Sequence, residues 1–334
     1  TYAIVEGGSY PVALTDELDT IARDNFGGTL EGSYTAHPKL DAGTGELHAI
    51  TYYWEWDHVR YVVVDPGGAV RREVQVPVPG RPMIHDCSIT ESSVLIYDLP
   101  VHFDVDAAMS GLAMPYQWTL DHGARVGVLP REAEASEVVW CEVEPCYVFH
   151  PLNAYDTPDG RIVADVIRHP HMFASRSSMP GGGPPILARW TIDPATGKVL
   201  EEVVSDRNQE FPRVDERVVG RRHRWGYGVY SGEGSLYQGA VKNDVETGES
   251  AFRDHGDGRF CQEPVFVPRT ADADEDDGWL LAYVHDENTQ TCDIEIWDSR
   301  DFTGSPVALI HLPQRVPFGF HGNWVSDRSV PPPA

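Results

Sequence analysis

The chain has 334 residues, enough for a sizeable core in one large domain or two average ones. Its 52 acidic and 26 basic side chains leave a formal net charge of −26, which repels phosphate backbones and excludes nucleic acid as an expected partner. No apolar run is long enough to span a membrane, and no secretory leader is expected.

The opening TYAIVEGG starts at Thr1 and reads as the middle of a strand, so the natural N-terminus is expected to be missing. Strand signals then follow one another: HAITYYWEW, VRYVVV, SVLIYDL, CYVFH, RIVADVI, VLEEVV, WLLAYV and IEIWD, each rich in β-branched or aromatic residues and bounded by Gly, Pro or Asp. No long helical period competes with them. Turn chemistry recurs at DAGTG (Asp41 to Gly45), DPGG (Asp65 to Gly68), DPATG (Asp193 to Gly197) and DVETG (Asp244 to Gly248), each suited to a tight hairpin. Repetition of strand, hairpin and strand along the whole chain predicts an all-β fold, a β-propeller first and a long β-sandwich second. PGGGPP (Pro180 to Pro185) and the acidic ADADEDDG stretch (Ala271 to Gly278) are expected to be surface excursions. The acidic stretch lacks the alternating ligands of a calcium loop and reads as a solvated surface.

Cys87, Cys141, Cys146, Cys261 and Cys292 form no CxxC pair and predict reduced, buried thiols, as in a cytoplasmic protein. The Arg-heavy, acidic composition fits a GC-rich bacterial origin by association only.

Four histidines head short, well-defined stretches: His37 in AHPKLD, His85 in MIHDCSIT, His150 in YVFHPLNAYD and His321 in GFHGNWV. Their separations of 48, 65 and 171 residues exclude presentation by one helix or loop. A propeller can bring them together, because the innermost strand of each blade lines a common axis. An all-imidazole pocket suits iron, copper, zinc or nickel. Ser88 and Ser92 lack a G-x-S-x-G setting, so oxidative chemistry is favoured over hydrolysis. His169 and His171 form an HxH pair without the carboxylate spacing of a cupin-like site, and His223 is expected to pack or hydrogen-bond at a blade edge.

In order along the chain, TAHPKLDAGTGEL, PMIHDCSITESSVLIYDLP, RVGVLPR, CYVFHPLNAYD, EFPRVDERVVGRRHRWGYG, EPVFVPR, DDGWLLAYV and LPQRVPFGFHGNW resemble the signature blocks of the carotenoid cleavage oxygenase family. The resemblance runs from near Tyr2 to Trp324. It implies a seven-bladed β-propeller over 1–334 as a single domain, lacking an N-terminal segment that helps close the ring. It also implies one non-haem iron(II) ion, Fe2+, on His37, His85, His150 and His321. Three glutamates that support three of those histidines in the family fall on Glu6, Glu210 and Glu263; the first histidine has none. A carboxylate that accepts the other ring N–H fixes the tautomer of a ligating imidazole. Which glutamate serves which histidine is not legible in the sequence.

Four imidazoles do not fill the six positions that iron accepts, which leaves room for O2 as co-substrate. Addition of both oxygens across a C=C bond would give two carbonyl products. An apolar polyene needs a tunnel, which Phe149, Phe318, Phe320, Trp324, Tyr53 and Trp54 are candidates to line. The family also contains hydroxystilbene (lignostilbene-type) dioxygenases and retinoid isomerases. In the stilbene group a lysine precedes the first glutamate; Val5 stands there in this chain, which favours a carotenoid or apocarotenoid. A metal- or lipid-binding propeller without turnover is the non-enzymatic alternative. Peripheral membrane contact through the missing N-terminal part is a further expectation.

Overall fold

Tight hairpins written into the sequence set the frame. At the three D-x-x-T-G turns the glycine N–H donates to the aspartate carbonyl: Gly45 to Asp41 at 2.7 Å, Gly197 to Asp193 at 2.9 Å and Gly248 to Asp244 at 2.8 Å. Each aspartate side chain also accepts the N–H two residues on, at Gly43, Ala195 and Glu246. The glycines sit at φ of +74°, +68° and +77°, a conformation that strains residues bearing a Cβ. These turns join Lys39–Leu40 to Leu47–Thr51, Ile186–Asp193 to Lys198–Ser205, and Gly239–Asp244 to Ser250–Asp254.

The computed structural model describes residues 1–175, 178–181, 183–232 and 237–326. They divide into two compact units, Thr1–Val203 with Arg217–Arg222, and Val204–Glu216 with the residues from His223 onward.

In the first unit, Tyr2–Ala3, Val12–Leu14 and Thr20–Arg23 form a three-stranded sheet. Three antiparallel four-stranded sheets follow. The first contains Lys39–Leu40, Leu47–Thr51, His58–Val64 and Val70–Pro77. The next contains Cys87–Ile89, Ser93–Asp98, Arg125–Pro130 and Val139–Glu142. The last begins with Pro151–Asp156 and Ile162–Arg168 and ends with Ile186–Asp193 and Lys198–Ser205. Alternation along His58–Val64 shows how such sheets stack. Val59, Tyr61 and Val63 enter one apolar cluster, while Val62 and Val64 enter another on the opposite face. Burial on both faces explains why this segment reads as a nearly continuous apolar run.

The second unit holds a sheet of Gln209–Arg213, Trp225–Tyr230, Gly239–Asp244 and Ser250–Asp254. A five-stranded sheet follows, of Arg259–Cys261, Val265–Pro268, Gly278–Asp286, Thr291–Asp298 and Ala308–His311. Tyr227, Val229, Phe266, Leu280 and Trp297 pack in its core.

Blade-type sheets among the described residues therefore number six, not the seven that the resemblance implied. The strand-like stretches left over pair with themselves. Val101–Phe103 with Tyr116–Trp118, and His171–Ser175 with Ser178–Gly181, are two-stranded excursions between strands of larger sheets and found no further blade. Three strand readings also shift. HAITYYWEW is strand only as far as Thr51. YAIVE is extended only at Tyr2–Ala3, and CYVFH makes a single bridge from Tyr147 to His169 before the strand starts at Pro151.

All five cysteines are free and buried. No helix among the described residues is long and apolar enough to cross a membrane. PGGGPP lies partly outside the described residues; within it, Gly183 and Pro184 are exposed. The acidic stretch is anchored as well as exposed. Asp276 is buried, accepting from Lys242 Nζ at 2.5 Å and from the Tyr227 hydroxyl at 2.7 Å, because a buried carboxylate needs a cation and hydrogen-bond donors.

Candidate metal centre

Each of the first three predicted histidines stands at the start of the first strand of a four-stranded sheet. His37 precedes Lys39–Leu40, His85 precedes Cys87–Ile89, and His150 abuts Pro151–Asp156. The repeat of the fold thus places chemically equivalent positions side by side. Their ring centroids lie 4.5 Å apart for His37 and His85, 5.2 Å for His37 and His150, and 5.0 Å for His85 and His150. His150 is buried, and the other two are half-buried.

Glu6, in the loop after Tyr2–Ala3, lies 2.9 Å from His85 Nδ1. A carboxylate there favours the proton on Nδ1, which makes Nε2 the acceptor or metal-binding nitrogen of the ring. That Nε2 points at the Nε2 of His150, 3.2 Å away. Ring nitrogens converging in this way fit a borderline divalent cation, whose charge would compensate the facing lone pairs.

His37 has a carboxylate nearby that sequence reasoning missed. Asp86 Oδ2 lies 3.8 Å from His37 Nδ1 and accepts from Lys39 Nζ at 2.8 Å, while Oδ1 accepts the Cys87 N–H at 2.6 Å. The available signal was the acid directly after His85 in HDC and the cation two residues after His37 in HPK. Asp86 is buried, and the Lys39 ammonium and the Cys87 N–H supply partners for its oxygens.

In the second unit, His321 follows the last strand and donates through Nδ1 to Glu263 Oε1 at 3.0 Å. Glu263 is buried. Burial alone would raise its pKa, but Arg213, the His321 contact and the Gly322 N–H together hold it below the usual carboxylate range. Phe211 sets its edge against the His321 ring at 5.4 Å. Glu210 lies on Gln209–Arg213 beside Phe211, whose N–H its carboxylate accepts. The structure thus pairs Glu6 with His85 and Glu263 with His321. Within the first unit, His37, His85 and His150 make a group that could hold a metal ion.

Of the candidate tunnel aromatics, Phe149 stands edge-on to His85 at 5.2 Å and contacts Tyr147, His169 and Phe173, forming an apolar wall. Tyr53 packs on Trp54 and Trp56, and Trp54 stacks on Phe103. Phe318, Phe320 and Trp324 are exposed. His169 is buried in backbone pairing with Tyr147, His171 packs on Trp118, and His223 is buried in the second unit.

An all-β fold of blade-type sheets that presents imidazoles at the starts of successive first strands defines a β-propeller with a histidine group that could hold a metal ion. The family model described as retinal pigment epithelial membrane protein matches residues 1–326. A carotenoid cleavage oxygenase of Mycobacterium tuberculosis is 41% identical, covering 97% of this chain and 74% of the relative. A carotenoid 9,10(9',10')-cleavage dioxygenase of Crocus sativus is 30% identical, covering 94% of this chain and 61% of the relative. The solved structure of Pseudomonas brassicacearum lignostilbene dioxygenase superposes with a TM-score of 0.88 at 29% identity, over 97% of this chain and 74% of that one. Cobalt-substituted Synechocystis ACO superposes with a TM-score of 0.86 at 28% identity, over 97% and 72%. The chain belongs to the carotenoid cleavage oxygenase family.

Proposed function

We propose that this protein is a non-haem iron(II) dioxygenase that cleaves a C=C bond of a carotenoid or apocarotenoid to two carbonyl products. In this reading His37, His85, His150 and His321 hold the ion, and Glu6, Glu210 and Glu263 support them. The carrying observation is the 3.2 Å approach of His85 Nε2 to His150 Nε2, with Glu6 on the far side of the His85 ring. Iron(II), when bound, would overcome the spin barrier between O2 and a closed-shell polyene, while the cleaved C=C bond supplies the electrons that reduce O2.

The chain's own residues do the rest. Glu6 keeps the His85 proton on Nδ1, and Glu263 orients His321 while remaining ionised despite burial. The carboxylates also offset the charge of a dication held by neutral imidazoles. Phe149 and its neighbours keep water from one side of the histidines and offer a polyene an apolar surface. Val5, half-exposed beside Glu6, offers no cation to a phenolic oxygen.

The likeness to lignostilbene dioxygenase supports a second reading, a hydroxystilbene substrate. Mass spectrometry of products from the iron-loaded protein, incubated in air with an apocarotenal and a hydroxystilbene in parallel, separates the two. Aldehydes from the apocarotenal alone support the proposal, and aldehydes from the stilbene alone overturn the substrate choice. No product from either, with iron bound, favours isomerisation or a binding role.

A further inference from the structure

His321 sits on a segment, Phe318–Trp324, that forms neither helix nor strand, and its aromatic residues Phe318, Phe320 and Trp324 are exposed. A ligand on such a segment loses conformational freedom when it engages an ion, so whatever fixes it beforehand sets the affinity. Glu263 supplies part of that restraint, accepting the Gly322 N–H through Oε2 at 3.0 Å as well as contacting His321 through Oε1.

Arg213 supplies the rest. Its Nη1 donates to the Gly322 carbonyl at 3.2 Å and to Glu263 Oε2 at 3.3 Å. Its Nη2 donates to Asn323 Oδ1 at 3.1 Å and to Glu216 Oε1 at 2.5 Å. One planar guanidinium therefore ties together both residues that follow His321 and the carboxylate that orients its ring. A lysine ammonium has no planar fork with which to reproduce that set. Arg213 itself is anchored in the strand Gln209–Arg213, paired with Tyr227. Phe211, two residues earlier on the same strand, packs its edge on the His321 ring.

We propose that Arg213 is a positioning residue that pre-organises His321 for the metal. The inference rests on the reading of His321 as a ligand and acts without contact between Arg213 and the ion. It makes the strand Gln209–Arg213 a support for the fourth histidine as well as the carrier of Glu210.

The test uses the full chain and Co(II), whose visible absorption reports the number of its ligands. Arg213→Met is expected to weaken Co(II) binding by about 10- to 100-fold, the range for loss of an outer partner, and to move the absorption toward that of His321→Ala. Arg213→Lys is expected to fall between Arg213→Met and the parent. A merely structural arginine would lower the unfolding temperature of the metal-free protein and leave affinity and spectrum alone, and that result overturns the inference. Should Arg213→Met not fold, Asn323→Ala removes one partner of the fork at an exposed side chain. Parental affinity in both Asn323→Ala and Arg213→Lys would then overturn it. Parental binding and spectrum in His321→Ala sinks the ligand reading together with the inference, whereas an effect of His321→Ala with none of Arg213→Met sinks the inference alone.

Discussion

Glu6 lies within 2.9 Å of His85 Nδ1, a carboxylate from the first turn of the chain locking the ring of a histidine 79 residues later. Because that contact fixes which nitrogen carries the proton, its loss should be felt at Nε2. Glu6→Ala is expected to weaken metal binding by about 10- to 100-fold. Glu6→Gln should cost less, since an amide oxygen still accepts from Nδ1. Competition titration against a chelator reads both, and equal affinity in Glu6→Ala and the parent would contradict the assignment.

Much of the site was legible because the fold repeats. His37, His85 and His150 each announce the first strand of a sheet, so the short motifs around them carry position as well as chemistry. The partners were harder to read. Glu6 reaches its histidine through a loop, Asp86 lies next to the wrong histidine in sequence, and Arg213 works through three residues more than 45 positions away. Such contacts are set by packing and leave no local period. The turns were legible for the opposite reason, since Asp41 and Gly45 settle their geometry within five residues. The blade count was carried by resemblance alone. Nothing in Val101–Phe103 announces that it pairs with Tyr116–Trp118 instead of joining a larger sheet.

Asp86 and Lys39 form a pair whose carboxylate is buried, beside His37. Removing the cation alone strands that carboxylate, so Lys39→Met is expected to destabilise the fold by about 3 kcal/mol. Asp86→Asn, which keeps an acceptor for the Cys87 N–H, should cost less, and the double variant should recover part of the loss. Urea unfolding of the four proteins gives the coupling directly. Additive losses would show that the pair contributes nothing as a pair.

His48 is fully buried, with Nδ1 2.7 Å from the Tyr61 hydroxyl. Burial first, and then the neighbouring Arg131, push its pKa down to about 4, against the opposing pull of Glu46 and Asp41. The folded state therefore binds this proton less readily than the unfolded chain, where the ordinary value is 6.5. Its contribution is neutral above about pH 6.5, turns against folding as pH falls toward 4, and is constant below that. The parent should lose up to about 3 kcal/mol across this window through His48. His48→Asn is expected to be less stable near neutrality, from a weakened bond to Tyr61, yet to show a shallower acid slope. Urea midpoints taken near neutral and near pH 4.5 compare the slopes; parallel curves would place the acid sensitivity elsewhere.

Asp276 and Lys242 turn the acidic stretch from a solvated fringe into part of the second unit's core. Both side chains are buried, Lys242 Nζ also donates to the Ser299 carbonyl at 2.8 Å, and the Tyr227 hydroxyl completes the carboxylate's partners. Lys242→Met leaves Asp276 buried without its cation and is expected to cost about 3 to 5 kcal/mol. Because the Asp276 oxygens are already engaged, calcium should add nothing to stability there. Thermal unfolding with excess calcium and with chelator is expected to give the same midpoint for this unit. A calcium-dependent rise that disappears in Asp276→Asn would instead make the stretch a cation site, with Lys242 displaced from the carboxylate on binding.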